Sequence, residues 1–192
     1  MKKILLILFL LSHNVFADNI SDSREFVANI GNAIVTFNDK DRLIKLMDQS
    51  IYFQWISRFV LGKNYRKFDD NQKKEFTNLY REFLINAYGP KFDNYKSKSF
   101  KITSIEEKKR YVMVKSELEI DDGTKVAFAF RIKRNKSNNQ FKIIDVIVEK
   151  VSLIETQRSE FSSAISQNGV TKFLKMMQEK INNQKLQTND KK

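Results

Sequence analysis

Asp145 is the residue best placed to do proton chemistry: it sits mid-way through the apolar run 141–148, where burial would raise its pKa. A general acid or base still needs a partner and an electrophile. The single histidine, His13, lies in the first seventeen residues, and the chain has no cysteine. Without His or Cys beyond those residues, Ser-His and cysteine nucleophiles and nearly every transition-metal site are excluded. The five glycines are scattered and form no loop that would cradle a phosphate. The expectation is therefore a protein that is not an enzyme and needs no cofactor and no metal. The rival is catalysis at Asp145 on an exported enzyme acting on a hydrophobic substrate, and a second rival is a structural adaptor that holds no small ligand.

Lys2 and Lys3, the apolar run 4–11 and the small-residue pattern Val15-Phe16-Ala17 ahead of Asp18 read as a secretory signal peptide over 1–17. The run is shorter than the ~20 residues a spanning helix needs. No cysteine follows it, which excludes a lipoprotein. An oxidising exterior offers no staple to a chain without cysteine, so stability must come from apolar packing. The full chain carries a net charge of +12, and loss of Lys2 and Lys3 leaves +10. The bases are scattered, with no nucleic-acid motif among them, so no nucleic acid is expected as a partner. They read as a solvated surface that also suits anionic lipid headgroups.

What could position a function is the pattern of apolar residues. Phe26, Val27, Ile30, Ala33, Ile34 and Phe37 predict a helix over 22–37, opened by an Asp22-x-x-Glu25 capping box. Asn38-Asp39 ends it and caps a second helix with Leu43, Ile44, Leu46 and Met47 inward. A third covers 53–61 and closes at Gly62. The fourth begins at Asp69 or Asp70, carries Phe76, Leu79, Tyr80, Phe83, Leu84, Ala87 and Tyr88 on one side, and stops at Gly89-Pro90. From Phe100 the period changes to two. Strands over 100–105, 112–120, 126–133 and 141–149, with a hairpin turn at Asp121-Asp122-Gly123, make an antiparallel sheet of at least four strands. Two closing helices are divided at Asn168-Gly169, and 184–192 reads as a disordered tail. The fold class is α+β, in one domain over 18–183.

Two stretches carry a resemblance. IYFQWISRFVLG at 51–62, followed by Tyr65, Arg66, Gln72, Phe76, Tyr80, Leu84 and Tyr88, is similar to the MlaC-type periplasmic phospholipid-binding proteins, also called the toluene-tolerance family. The segment 143–161, then Gln167-Asn168-Gly169, resembles that family's closing segment. Tyr65 stands where the family usually has Trp, and Lys150 where it often has Gly. The resemblance implies a curved antiparallel sheet of NTF2-like character wrapped by N- and C-terminal helices, with acyl tails in an apolar cleft between them. It implies a periplasmic carrier of phospholipid and, as partners, the MCE-domain subunit of an inner-membrane ABC transporter and an outer-membrane lipoprotein with its porin. A monomer is expected.

The residues give that cleft a composition. One sheet face bearing Val112, Val114, Leu118, Val126, Phe128, Phe130 and Val146 is expected to oppose Trp55, Ile56 and Phe59 from one helix and Phe76, Tyr80, Phe83, Leu84 and Tyr88 from another. These are the candidate lipid-binding residues. A buried phosphate costs several kcal/mol unless paired, so the headgroup is expected at the mouth, with Tyr111, Lys150 and Arg158 as candidates to meet it.

Overall fold

The apolar stripe Val27, Ile30, Ala33 is the buried side of α1 (Asn14–Thr36), in a computed structural model that describes residues 14–36, 40–94 and 97–189. The helix begins before the expected capping box. No proline or glycine interrupts 14–21, and Asp22, inside the helix, pairs with Arg134 at 2.5 Å instead of capping an amide. Phe37, Asn38 and Asp39 lie outside the described residues, as do residues 1–13 of the expected export segment. Next come α2 (Lys40–Ser50) and α3 (Phe53–Leu61), the latter closed by Gly62 at φ +53° and followed by a 3₁₀ turn, Gly62–Lys67.

A reciprocal box opens α4 (Asp70–Asn94): Gln72 N–H donates to Asp69 Oδ1 at 2.8 Å, and Asp69 N–H donates to Gln72 Oε1 at 3.1 Å. Gly89-Pro90 does not stop this helix. A proline near a helix end removes one bond to the preceding turn and leaves the later ones free to form.

The sheet is an antiparallel meander in sequence order: β1 (Ser97–Lys108), β2 (Tyr111–Ile120), β3 (Lys125–Arg134), β4 (Phe141–Val148) and the two-residue β5 (Val151–Ser152). Val112 pairs with Ile132, Val114 with Phe130, Ser116 with Phe128 and Leu118 with Val126, so one alternate set of β2 and β3 shares a face. The set between them, Lys115, Glu117 and Glu119 included, points the other way. In β4 the register slips: Arg131 pairs with Asp145 and Ile132 with Ile143, leaving Ile144 as an extra residue. The bulge lets two consecutive isoleucines serve different layers.

Those layers are two apolar clusters. Val27 and Ile30 of α1 cover Val112, Val114, Phe130, Ile132, Phe141 and Ile143 on one face of the sheet. On the other side, α3, α4 and α5 (Leu153–Asn189) pack on one another and on Ile144. Gly169, at φ +74° and ψ 172°, breaks α5 into two segments where Asn168-Gly169 predicted a division. The second segment continues through 184–189, read from sequence as a disordered tail. Lys185 there pairs with Glu82 at 2.8 Å, a contact between helices that local composition does not disclose. Among the described residues no helix is long and apolar enough to cross a membrane.

Candidate functional site

The one-sided stripe of α4 is buried, but against helices. Phe76 and Tyr80 are completely covered, and with Phe83 their rings meet Phe161 of α5 at centroid distances of 6.0, 5.7 and 6.1 Å. Phe173 closes the group 5.4 Å from Phe161. Ile56 and Leu84 belong to the same core, while Trp55, Phe59 and Tyr88 lie half-buried at its border. The buried Tyr80 hydroxyl donates to Gln157 Oε1, and burial pushes its pKa well up. Burial likewise raises that of Tyr88.

The sheet candidates belong to the other cluster. Val112, Val114 and Phe130 are buried under α1, Leu118 is buried toward the hairpin end, and Val126, Phe128 and Val146 are half-buried. The expectation that these side chains face α3 and α4 across a gap is therefore corrected. Periodicity states that α1 and α4 each bury a stripe without saying against what. In the structure α1 takes the sheet face, and α4 finds its partner in α5.

The two clusters meet at α2. Consecutive residues diverge there, Leu46 packing against the sheet cluster and Met47 against the helical one, while Ile51 touches both. Ile51 also forms an isolated parallel bridge with Ile143, and Tyr52 N–H donates to Ile143 O at 2.9 Å. Asp48 ties α2 to α4 through both carboxylate oxygens. Oδ1 accepts from Arg81 Nε at 2.5 Å and Oδ2 from Nη2, a two-pronged pair that raises the arginine's pKa. Asp48 and Arg81 were not singled out from sequence, since 33 residues separate them and no local pattern links them.

Asp145, the candidate catalytic carboxylate, is an anchor. Its Oδ2 accepts from Ser152 Oγ at 2.7 Å and lies 3.0 Å from Arg131 Nη1, and its Oδ1 accepts from Ile154 N–H at 3.2 Å. Ser152 Oγ in turn accepts Glu155 N–H at 3.1 Å, so the pair caps the start of α5. Burial raises the Asp145 pKa against the opposing pull of Ser152, Ile154 N–H and Arg131.

The headgroup candidates do not converge. Tyr111 lies half-buried beneath Arg131, 5.7 Å from ring centroid to guanidinium. Lys150 is exposed in the β4–β5 turn, where the preceding Glu149 exchanges hydrogen bonds with Ala127, toward the opposite end of β3. Arg158 lies on α5, one turn beyond Glu155, over the Phe59 ring. Two open concavities stand out among the described residues. One, of about 420 Å³, runs along α5 from Glu155 to Ser166, and the other, of about 350 Å³, lies between α1 and the β3–β4 turn around Asp22, Arg134 and Lys142.

An open, curved antiparallel meander with one face under an N-terminal helix, and a helical layer hung from its last strand, defines an α+β protein built around two apolar layers that meet at a seam. The MlaC protein family profile matches residues 37–179, and the chain belongs to that family. Its fold is similar to that of a solved phospholipid-binding protein from Ralstonia solanacearum, determined in complex with a phospholipid. The TM-score is 0.73 at 18% identity, over 86% of this chain and 97% of that one.

Proposed function

We propose that this chain is a periplasmic phospholipid carrier that holds its cargo by the acyl chains and performs no covalent chemistry. The observation that carries the reading is membership of the MlaC family together with the likeness, over 86% of the chain, to a protein that holds a phospholipid. The seam filled by α2 is the path proposed for the tails. Leu46, Met47 and Ile51 pack where the two clusters meet, and the half-buried Phe128 and Val146 of the sheet cluster and Trp55, Phe59 and Tyr88 of the helical one are the residues proposed to border the path. The buried candidates Ile56, Phe76, Tyr80, Phe83, Leu84, Val112, Val114 and Phe130 would then form the walls behind it, with Leu118 and Val126 toward the hairpin end.

Each buried CH₂ contributes about 0.8 kcal/mol, so two long chains amount to on the order of 20 kcal/mol relative to water. Release into water would be far too slow. Exchange therefore takes place in contact with a protein that receives the tails directly: the MCE-domain subunit of an inner-membrane ABC transporter on one side, and an outer-membrane lipoprotein with its porin on the other. Export follows from cleavage after Ala17, which leaves the part of α1 that carries Val27 and Ile30 intact. The carboxylate of Asp145 has its oxygens committed to Ser152, Ile154 and Arg131, which favours carriage over acid–base catalysis. Native mass spectrometry of the processed protein, purified without detergent, tests the reading. A mass increment of one phospholipid is expected, and bare polypeptide from a lipid-rich host would overturn it.

A further inference from the structure

Between Asp48 and Asp69 the chain carries no acidic residue, while Arg58, Lys63, Arg66 and Lys67 all fall in that interval. Folded into α3 and the 3₁₀ turn, the four bases are exposed, and among the described residues none of them meets a carboxylate. The acids that follow are engaged at the start of α4, where Asp69 caps Gln72 N–H and Asp70 holds Lys73 at 2.9 Å.

The centre of this basic face is aromatic. The Trp55 and Phe59 rings stack 5.2 Å apart, and a cation lies over each: Lys133 Nζ is 5.8 Å from the Trp55 centroid and the Arg158 guanidinium 4.8 Å from that of Phe59. Arg58 and Lys73 lie over the Tyr65 ring in the same way, at 5.4 and 5.0 Å. Gly62 lets Arg158 close in on the turn, because a Cβ there would come within 2.8 Å of Nη2. A base laid over a ring rests its stem on apolar surface and keeps its charge in water. Lys133 and Arg158 also lack a carboxylate partner among the described residues, so the face gathers cations without matching anions.

We infer that this face docks on a bilayer surface bearing anionic headgroups. Charge complementarity sets the sign of the partner, and the aromatic centre suits it, since half-buried Trp and Tyr side chains settle at the level of lipid headgroups. A protein interface needs a dry apolar centre. None of the exposed large apolar side chains, Ile20, Val151, Met176 and Leu186, lies on α3 or the 3₁₀ turn. Bases on long stems over rings supply a charge density rather than a fixed geometry, which is what a fluid lipid surface responds to. The inference goes beyond the carrier reading and assigns no site to the headgroup of the cargo. Docking holds the protein at the membrane and turns Trp55 and Phe59 toward the headgroup layer.

Trp55 is the single tryptophan of the chain, so its emission reports from the centre of the face. The processed full-length protein is sedimented with vesicles of phosphatidylcholine alone and of equal parts phosphatidylcholine and phosphatidylglycerol, at low and at high salt. Binding with a blue shift of Trp55 is expected on the mixed vesicles only, fading as salt rises. A base near an anionic surface is worth about fivefold in affinity, so Arg66→Gln combined with Lys67→Gln should weaken binding about twenty-fivefold. Lys98→Gln with Lys101→Gln, the same loss of charge at exposed positions on the edge strand β1, should leave binding near wild type. Equal weakening by the two pairs would reduce the effect to net charge and overturn the face. Equal binding to phosphatidylcholine alone, or sedimentation without a change in Trp55 emission, would overturn it too. Soluble polyglutamate competing as well as the mixed vesicles, charge for charge, would assign the face to an acidic protein and overturn the membrane. Lipid content is read separately by mass spectrometry before any vesicle is added. Loaded protein that does not dock overturns docking alone, and docking by a chain that carries no lipid supports the face while overturning the carrier reading.

Discussion

If the seam at α2 is the way in, the Arg81–Asp48 pair is its latch, and Asp48→Asn should loosen α2 without unfolding the protein. The side chains are 38% and 34% exposed, so the pair is partly screened by solvent despite its two-pronged geometry. Exposed pairs contribute roughly 0.2–1 kcal/mol, and the double contact places this one near the upper end, about 1 kcal/mol. Asparagine keeps the size and one acceptor but removes the charge. The open population of α2 should then rise about fivefold. Hydrogen exchange reads this directly. Amides of 44–51, including Ile51 N–H bonded to Met47 O, should exchange about fivefold faster, while those of β2 and β3 stay at wild-type rates. Transfer of a labelled phospholipid to acceptor vesicles should accelerate in step, and added salt should narrow the difference. Unchanged exchange in α2, or an equal rise in every element, would refute the latch.

Other perturbations test the frame. Lys150 adopts φ +70°, so Lys150→Gly should stabilise by about 1 kcal/mol, a rise of about 2–4 °C in melting temperature, and a fall by calorimetry would contradict the strain. Gly31→Ala would place a Cβ 1.9 Å from Phe100 Cδ1, so it should cost about 1–3 kcal/mol in urea unfolding, and a neutral result would mean that α1 does not press on β1 as described. Glu106, partly exposed between Lys115 and Lys108, should titrate by carboxyl NMR at about 2, because those ammonium groups favour its charged form. Its contribution is present at neutral pH and lost as pH falls through that value, and Lys115→Ala should move the midpoint up. Asp145 has the opposite sign. With its folded pKa raised by burial, the native state binds its proton more tightly, so stability falls as pH rises through the window above the ordinary carboxylate value. That slope, measured by urea midpoints, should be missing in Asp145→Asn.

Much of this architecture was readable because local chemistry and tertiary structure agree at particular residues. Gly62 closes α3 at the positive φ that a glycine tolerates, Asp121-Asp122-Gly123 turns β2 into β3 with Gly123 N–H donating to Ile120 O, and Asn168-Gly169 divides α5. Lys150, noted as a departure from the family's frequent glycine, sits at a left-handed backbone position, which is the physical reason a glycine suits it. Local chemistry misled where a signal was real but another partner took it. Asp22-x-x-Glu25 has the spacing of a cap, yet Asp22 answers to Arg134, 112 residues away. Gly89-Pro90 has the composition of a stop, yet α4 passes it.

The site was legible as a list of side chains and not as a surface. Amphipathic periodicity reports that Phe76, Tyr80 and Phe83 are hidden from water, and alternation reports the same of Val112, Val114 and Phe130. Neither says whether one set hides behind the other. That depended on a single extra residue in β4: the bulge at Ile144 sends Ile143 to the sheet cluster and Ile144 to the helical one, so the domain has two apolar layers sharing a strand. This has a consequence for the carrier reading. A cavity inside either layer would have to displace interlocked rings, at several kcal/mol for each large side chain moved, whereas a cavity between the layers requires only that α2 withdraw Leu46 and Met47 and that Ile51, just beyond it, give up its bridge to Ile143. Substitutions such as Phe83→Asp would therefore test folding rather than binding. The informative positions are the half-buried ones, Phe128 and Val146 on the sheet side and Trp55 and Phe59 on the helical layer, where a polar replacement should abolish lipid retention while leaving both layers intact.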